Sequence, residues 1–445
     1  MRAERQALMT TNILILGGGT GGTLMANRLR RHFPEGEVSI TVVDQDNTHL
    51  YQPGLLFVPF GLAHPDEIIR PRRRQLHAGV DFIEAEIDRV DIDRKIVTLI
   101  ADPQALDHVP DEVRYDVLVV ATGAMLALDE TPGLTGDGWE SNVFTFYDLA
   151  GAAALHDALA NFEGGRLVIN VVDMPIKCPV APLEFCFLAD WYFTERGIRN
   201  LVEITYVTPL DAAFTKPIAA ARLGSLLKAK HISVITEFNT GEVRSAVGEP
   251  GALIGYDGRE VPFDLAVVVP MHSGAAYVAR SPGLGDELGF VPTHMQTLQS
   301  TVRPEIFAIG DATNVAVSKA GSVTHFEGEV LAENIIRFIA GQPLDDSYDG
   351  HANCFIETGF SKALLIDFNA TTEPLEGHFP ASVGLPLLRE SRLNHLGKLL
   401  FQTVYWHALL PGRDLPLVHA AMPTAGKRRP SGTDSDTPLP QGAHT

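Results

Sequence analysis

The stretch "NILILGGGTGGTLMANRLRRHFPEGEVSITVVDQD", residues 12–46, decides the fold. Ile13 to Leu16 is an unbroken apolar run of the length expected for a strand buried on both faces. A glycine turn and an amphipathic helix follow, and then a second apolar strand that ends in Asp44. Gly17, Gly19 and Gly22 have GxGxxG spacing, and an acid about 20 residues on can accept hydrogen bonds from ribose hydroxyls. Taken alone, the glycines are a weak signal. Strand, helix, second strand and terminal acid together specify a βαβ unit that binds a dinucleotide.

A second unit of the same kind begins at "GRLVINVVDMPIKCPVAPLEF", residues 165–185. Leu167 to Val172 reads as a buried strand and "LEFCFLADWYF" as a helix, so the turn between them is where a phosphate-binding glycine loop would lie. That turn instead holds Asp173, Met174, Pro175, Ile176, Lys177 and Cys178. Pro175, Pro179 and Pro182 remove backbone donors, and the next strand, "LVEITYVTPLD", ends in Thr208 with no acid placed for a ribose. The scaffold of a nicotinamide-binding unit is present without its binding loop.

The whole chain has 445 residues and a net charge of -20, which excludes nucleic acid as an expected partner because binding would gain nothing from counterion release. The basic cluster Arg70, Arg72, Arg73 and Arg74 reads either as a solvated or ion-paired face or as a contact for cofactor phosphate or anionic lipid. Three cysteines, Cys178, Cys186 and Cys354, cannot build a secreted disulfide framework, and no metal site is expected from their spacing. No secretory signal precedes the first strand and no apolar run is long enough to span a membrane, so a cytoplasmic-side location is the expectation.

Cys178 is expected at a helix N-terminus beside Lys177, and both features favour a thiolate. Cys354 lies in "HANCFIETGFSKALLIDFN". Cys186, among Phe185, Phe187 and Leu188, reads as a small buried hydrophobe. Near the end, "RLNHLGKLLFQTVYWHALLPGRDLP" predicts a helix from Leu393 to Leu410. Leu393, Leu396, Leu399, Leu400, Val404 and Leu409 fall near one side, broadened by Phe401, Tyr405 and Trp406. This is either an interfacial membrane helix or a core or dimer helix, the latter making the chain a homo-oligomer. The polar tail, residues 423–445, is expected to be disordered.

Two further stretches, "YDVLVVATGA" with Thr122 and Gly123 and "PEIFAIGDAT" with Gly310 and Asp311, combine with the opening βαβ unit. Together they resemble the pyridine nucleotide-disulfide reductase flavoproteins, in which the second stretch contacts FAD. The resemblance implies an α/β fold with two Rossmann-like domains, the second inserted in the first. The expected parts are 11–139 and 291–345 for the FAD domain, 140–290 for the second domain, and 346–422 for a C-terminal amphipathic, membrane-associating segment.

Within these flavoproteins the chain resembles the sulfide:quinone oxidoreductases. Lys177-Cys178-Pro179 with Glu184 is similar to that family's first redox-cysteine motif, and "NCFIETG" around Cys354 is similar to the second. "HLYQPGLL" with Pro53 near the flavin ring, and "SKAG" with Lys319 by the flavin pyrimidine, also resemble family positions. The likeness implies sulfide oxidation to polysulfide or sulfur at a Cys178/Cys354 pair, with electrons passed to FAD and then to a membrane quinone. Glu184 is either a proton carrier or merely a first-turn acid favoured by the helix dipole. Phe355, Phe360 and Phe401 are expected to hold the quinone ring, Lys398 to lie beside the quinone pocket in a monotopic membrane anchor, and Lys362 to polarise a carbonyl or to sit at the surface. His272, His294 and His325 are further candidates for moving protons, with none singled out. The stretch after the ATG turn, "ATGAMLALDETPGL", holds no cysteine, so FAD is expected to bind non-covalently. Competing readings are a type II NADH:quinone dehydrogenase, the flavin subunit of a flavocytochrome c sulfide dehydrogenase, and a flavin-stabilised binding protein without turnover.

Overall fold

The computed structural model of the chain describes residues 10–101, 109–380 and 382–429. The glycine-rich opening forms strand β1 (Thr11–Leu16), helix α1 (Thr20–His32) and strand β2 (Val38–Asp44). Strands β3 (Asp81–Glu84) and β4 (Val117–Val120) follow. The second unit comprises β5 (Val143–Phe144), α2 (Leu149–Asn161), β6 (Gly165–Val171), α3 (Ala181–Glu195), β7 (Val202–Val207), α4 (Pro217–Ala229), β8 (Ser233–Ile235) and β9 (Leu265–Val269). The chain then returns through β10 (Ile306–Ala308) and α5 (Gly321–Ile339). A hairpin of β11 (Ala352–Gly359) and β12 (Lys362–Phe368) leads to helix α6 (Arg392–Val404).

Two parallel five-stranded sheets result, ordered β10-β4-β1-β2-β3 and β5-β9-β6-β7-β8. All strands of the second lie between β4 and β10 in sequence, so one unit is inserted in the other. A short antiparallel pairing of Met125–Ala127 with Met271–Ser273 joins the outgoing and returning chain. In the first sheet Ile13 and Ile15 face one core and Leu14 and Leu16 another. In the second, Leu167 and Ile169 face one core and Val168 the other. Burial on both faces is why these strands read as continuous apolar runs rather than alternating ones.

The C-terminal region departs from the sequence-based expectation in two ways. Helix α6 ends at Val404 and continues as a π-helical turn, Tyr405–Leu409, instead of running unbroken to Leu410. Its apolar residues divide between two sides. Leu393, Leu396, Leu399 and Leu400 are each about half exposed, whereas Tyr405, Trp406 and Leu409 are buried against the body of the protein. The division follows the 100° step of the helix, which sets Leu396 and Leu400 opposite Lys398 and Tyr405.

The expectation of disorder from residue 423 is corrected for residues 423–429, which are held to the body of the protein. Arg428 exchanges two backbone hydrogen bonds with Glu376, and Lys427 forms a buried ion pair with Asp367. Asp367 also meets His351 Nε2 at 2.9 Å, and the His351 ring stacks on Phe326. These contacts fasten the segment to β12; residues 430–445 lie outside the described residues. Removing one partner of a buried ion pair leaves an uncompensated charge, so Lys427→Met is expected to lower stability by about 3 kcal/mol. Urea unfolding of the flavin-loaded protein measures this, and an unchanged midpoint would refute the fastening role.

Candidate active site

The dinucleotide cradle is built by the three glycines in three different ways. Gly17 turns the chain out of β1 at φ +92°, and a Cβ there would stand 2.6 Å from the Ala121 carbonyl oxygen. A Cβ on Gly22 would collide with the Gly17 carbonyl oxygen, so helix and strand approach this closely only without a side chain. Gly19 is the N-cap of α1, faces open space and leaves the helix N-terminus bare for a pyrophosphate. Asp44, at the end of β2, accepts a hydrogen bond from Gly18 N–H at 2.6 Å.

Arg72 was expected on a solvated or ion-paired face, or against phosphate or lipid; it is ion-paired, with Asp44, but buried, on the wall of the cradle. Its guanidinium also donates to the carbonyls of Asp46, at 2.7 Å, and Thr48, at 2.6 Å. Arg70 lies over the Trp406 ring, 4.3 Å from its centroid. The cluster is therefore spent mostly within the protein, and Arg72 stiffens the edge of the cradle.

Gly17, Gly19, Asp44, Pro53, Thr122, Gly123, Gly310, Asp311 and Lys319 line one cavity of about 550 Å³, with Gly22 behind it. Lys319 donates to the carbonyls of Asp311, at 2.9 Å, and Thr313, at 2.8 Å, which fixes the turn after β10. Burial lowers the pKa of Lys319, with Asp311 opposing the shift. An open helix N-terminus, two glycines that exclude any Cβ, an acid at the end of β2 and a long cavity between the two sheets fit FAD.

The same cavity receives both Cys178 and Cys354. Cys178 lies three residues before α3, in the turn that replaces the glycine loop, and holds a left-handed backbone at φ +46°. Its N–H donates to the Lys319 carbonyl at 2.6 Å, and its own carbonyl accepts from Ala181 N–H at 2.8 Å and Tyr147 O–H at 3.3 Å. Cys354 comes from β11, which packs on α3. The two thiols are near enough that Cys178 adds to the rise in the Cys354 pKa, a rise due mainly to burial. Cys186 is fully buried in the aliphatic and aromatic core and does not reach the cavity wall.

The expected thiolate at Cys178 is corrected by its surroundings. Burial pushes this thiol up to about 12, and Glu184 pushes in the same direction. Lys177, its sequence neighbour, is half-buried on the cavity wall and faces Asp311 and Asp148. The cation that favours the Cys178 thiolate is Lys398, from α6. Lys398 is ion-paired with Glu184 and donates to the Phe355 carbonyl at 3.3 Å. Burial works against the charge on Lys398, and Glu184 beside it more than offsets this, so the ammonium stays above its usual pKa. Glu184, in the first turn of α3, also accepts from Glu357 N–H at 2.6 Å.

Of the five residues expected at the quinone, Phe355, Lys398 and Phe401 line the cavity. Phe360 and Lys362 do not. Phe360 is in the two-residue turn of the β11–β12 hairpin and Lys362 directly follows it; Phe360 is 41% exposed beneath Lys230 and Lys362 is exposed. The register of the hairpin carries them away from the cavity as it brings Phe355 in. His272, His294 and His325 are also off the wall. His272 and His325 are buried, which lowers them to about 3 and about 4, and His294 is exposed.

Sequence reasoning missed Tyr51, Tyr147 and Tyr405. Tyr405 lines the cavity and shares its hydroxyl with Thr20, at 2.8 Å, and with buried His49 Nε2, at 2.7 Å. "HLYQPGLL" had pointed to Pro53, but His49 and Tyr51 in the same stretch make the closer packing, against Tyr405 and Trp406. No local pattern could have shown this, because the partners are more than 350 residues away in sequence.

Two predictions follow from this geometry. Gly22→Ala is expected to cost about 3 kcal/mol of apoprotein stability through overpacking, whereas Gly19→Ala leaves stability unchanged and weakens FAD binding. Thermal melts of the flavin-free protein and flavin titration separate the two. At pH 8, iodoacetamide should alkylate Cys178 in the reduced, flavin-free protein at least about a hundredfold more slowly than a free peptide thiol. Lys398→Met, which removes the favourable cation, should slow it further; a normal rate would mean the burial is not real.

Several known proteins share this organisation. A model of the pyridine nucleotide-disulphide oxidoreductase family matches residues 11–170. The mitochondrial sulfide:quinone oxidoreductase of Mus musculus is 26% identical over 409 residues, covering 90% of this chain and 86% of that protein. The mitochondrial sulfide:quinone oxidoreductase of Schizosaccharomyces pombe is 27% identical over 427 residues, covering 89% of each. The crystal structure of the sulfide:quinone oxidoreductase from Aquifex aeolicus superposes with a TM-score of 0.73 at 20% identity, over 91% of this chain and 92% of that one, and shares its fold. With a dinucleotide cradle and two cysteines on one cavity, the chain is similar along nearly its whole length to the sulfide:quinone oxidoreductases, flavoproteins whose fold it shares.

Proposed function

We infer that this chain oxidises sulfide at the Cys178/Cys354 pair and delivers the electrons to a quinone. The observation that carries the reading is the single cavity whose wall runs from the dinucleotide cradle, past both cysteines, to Phe355, Lys398 and Phe401. The turn after β6 argues against NADH as the donor. Its prolines remove backbone donors, and Cys178 N–H is already committed to the Lys319 carbonyl.

The chemistry begins with the pair oxidised as a disulfide. Hydrosulfide attacks one sulfur, the S–S bond breaks, one cysteine carries a persulfide and the other leaves as a thiolate. In a cavity that pushes a thiol to about 12, that thiolate is costly and therefore reactive. Lys398 is the cation near enough to favour it. FAD, when bound, supplies a two-electron acceptor for the cysteines and a two-electron donor for the quinone. Lys319 holds the Asp311 turn beside it, and Tyr147 holds the Cys178 backbone. The same Lys398, which lies between the cysteines and Phe401 on the cavity wall, has a proton to give to a quinone oxygen, with Glu184 beside it to steady the charge. Phe355 and Phe401 offer apolar contact for the ring.

The acceptor is reached at a membrane surface. No described helix is long and apolar enough to cross a bilayer. The half-exposed leucines of α6 lie on the side of the helix opposite Lys398, so a face that enters the headgroup region and a face that reaches the cavity belong to the same helix. This supports peripheral, monotopic attachment close to the quinone end of the cavity.

Anaerobic titration of the flavin absorbance tests the reading. Sulfide should bleach the wild-type flavin and a soluble quinone should restore it, whereas Cys178→Ser and Cys354→Ser should each abolish bleaching by sulfide. Bleaching by NADH that is indifferent to both cysteines would overturn it.

A further inference from the structure

A second recess lies apart from the cysteine cavity. It is a groove of about 860 Å³ between helix α4 and the C-terminal region. Arg222 on α4 forms one side. The other is the hairpin of Gly377–Phe379 and Leu385–Leu387, with Arg389 just after it and Arg428 from the terminal segment. Arg428 meets Glu376 at 3.3 Å. Arg222 and Arg389 are exposed, and neither side chain has an ion pair or hydrogen bond among the described residues. Two uncompensated guanidinium groups facing one recess, in a chain of net charge -20, make a local site for an anion.

The position of the groove says which anion. Asn394, in the first turn of α6, donates to the carbonyls of Pro386, at 2.9 Å, and Arg389, at 3.0 Å. The rim of the groove is thereby tied to the helix that exposes Leu393, Leu396, Leu399 and Leu400, and the turn of the hairpin exposes Val383 at 92%. Apolar side chains bare to water beside unpaired arginines match the two layers of a membrane interface, hydrocarbon and phosphate. Arginine also suits phosphate through its planar fork of donors.

We propose that this groove binds the phosphate of an anionic phospholipid headgroup, adding a charge contact to the apolar docking of α6. The proposal rests on the membrane reading above. It gives a strongly acidic protein a means of staying on an anionic leaflet that would otherwise repel it.

Co-sedimentation at low salt with two kinds of vesicle tests it, phosphatidylcholine alone and phosphatidylcholine mixed with phosphatidylglycerol. Wild-type holoprotein should bind the mixture about 30-fold more tightly, the effect of two cations that each contribute about 1 kcal/mol near an anionic surface. Arg222→Ala with Arg389→Ala should erase that preference, bind phosphatidylcholine like wild type, and keep sulfide bleaching and the melting temperature. Leu396→Asp with Leu400→Asp should release the protein from both. A preference that survives the double arginine change overturns the lipid site and leaves the membrane reading standing. Wild-type protein that binds neither vesicle overturns both. If instead inorganic phosphate raises the melting temperature of wild type but not of the arginine variant, while the two vesicles bind equally, the groove takes a soluble anion and the proposal is wrong.

Discussion

The buried ion pair of Glu184 and Lys398 is the constraint on which the site depends. Glu184 opens α3, the helix that follows the Cys178 turn, and its carboxylate also receives the N–H of Glu357 on β11, the strand of Cys354. Lys398 projects from α6 and reaches back to the Phe355 carbonyl on the same strand. One carboxylate thus joins the elements that supply the first cysteine, the second cysteine and the helix with the exposed leucines. Neither charge is tolerable alone at this depth, so the three elements are fixed relative to one another by the need to keep the pair together. The same ammonium faces Cys178. The group that closes the structure is also the one that tunes the thiol.

A second constraint holds the two Rossmann-like units to each other. Where a nicotinamide-binding protein would keep a glycine loop open, this chain pairs Lys177 with Lys319 as a strand-like bridge and commits the Cys178 N–H to the Lys319 carbonyl. The left-handed conformation at Cys178 costs about 1 kcal/mol or more for a residue with a side chain. It is sustained by three hydrogen bonds to its backbone. The turn that no longer suits a pyrophosphate has become the seam between the domains, and its thiol faces the dinucleotide cradle of the first.

Legibility from sequence followed the range of the interactions. The βαβ unit was readable because its physics is local: β1, the glycine turn and α1 are contiguous, and a Cβ at Gly17 or Gly22 would strike backbone only a few residues or one strand away. The cysteines and Glu184 were readable as a motif, though not their environment. Lys177 looked like the partner of Cys178 because it is adjacent, yet the charges that act on it are Asp311 and Asp148, and the cation that acts on Cys178 is Lys398, 220 residues on. Phe360 and Lys362 looked like pocket residues because they follow Phe355, yet the two-residue turn after Gly359 carries them to the hairpin tip. The leucines and aromatics of α6 and its π-helical turn looked like one broad stripe, yet Tyr405 and Trp406 pack on His49 and Tyr51 while the leucines stay half exposed.

The sequence by itself determined the two parallel sheets and the dinucleotide cradle, since each is written in a contiguous pattern of apolar runs and glycines. Only the tertiary structure decided which cation faces Cys178, which aromatics reach its cavity, that Arg72 is spent on Asp44, and that Arg222 and Arg389 meet across one groove. Those outcomes depend on desolvation and on side chains hundreds of residues apart. Burial and charge pairing act through space, and no spacing along the chain encodes them.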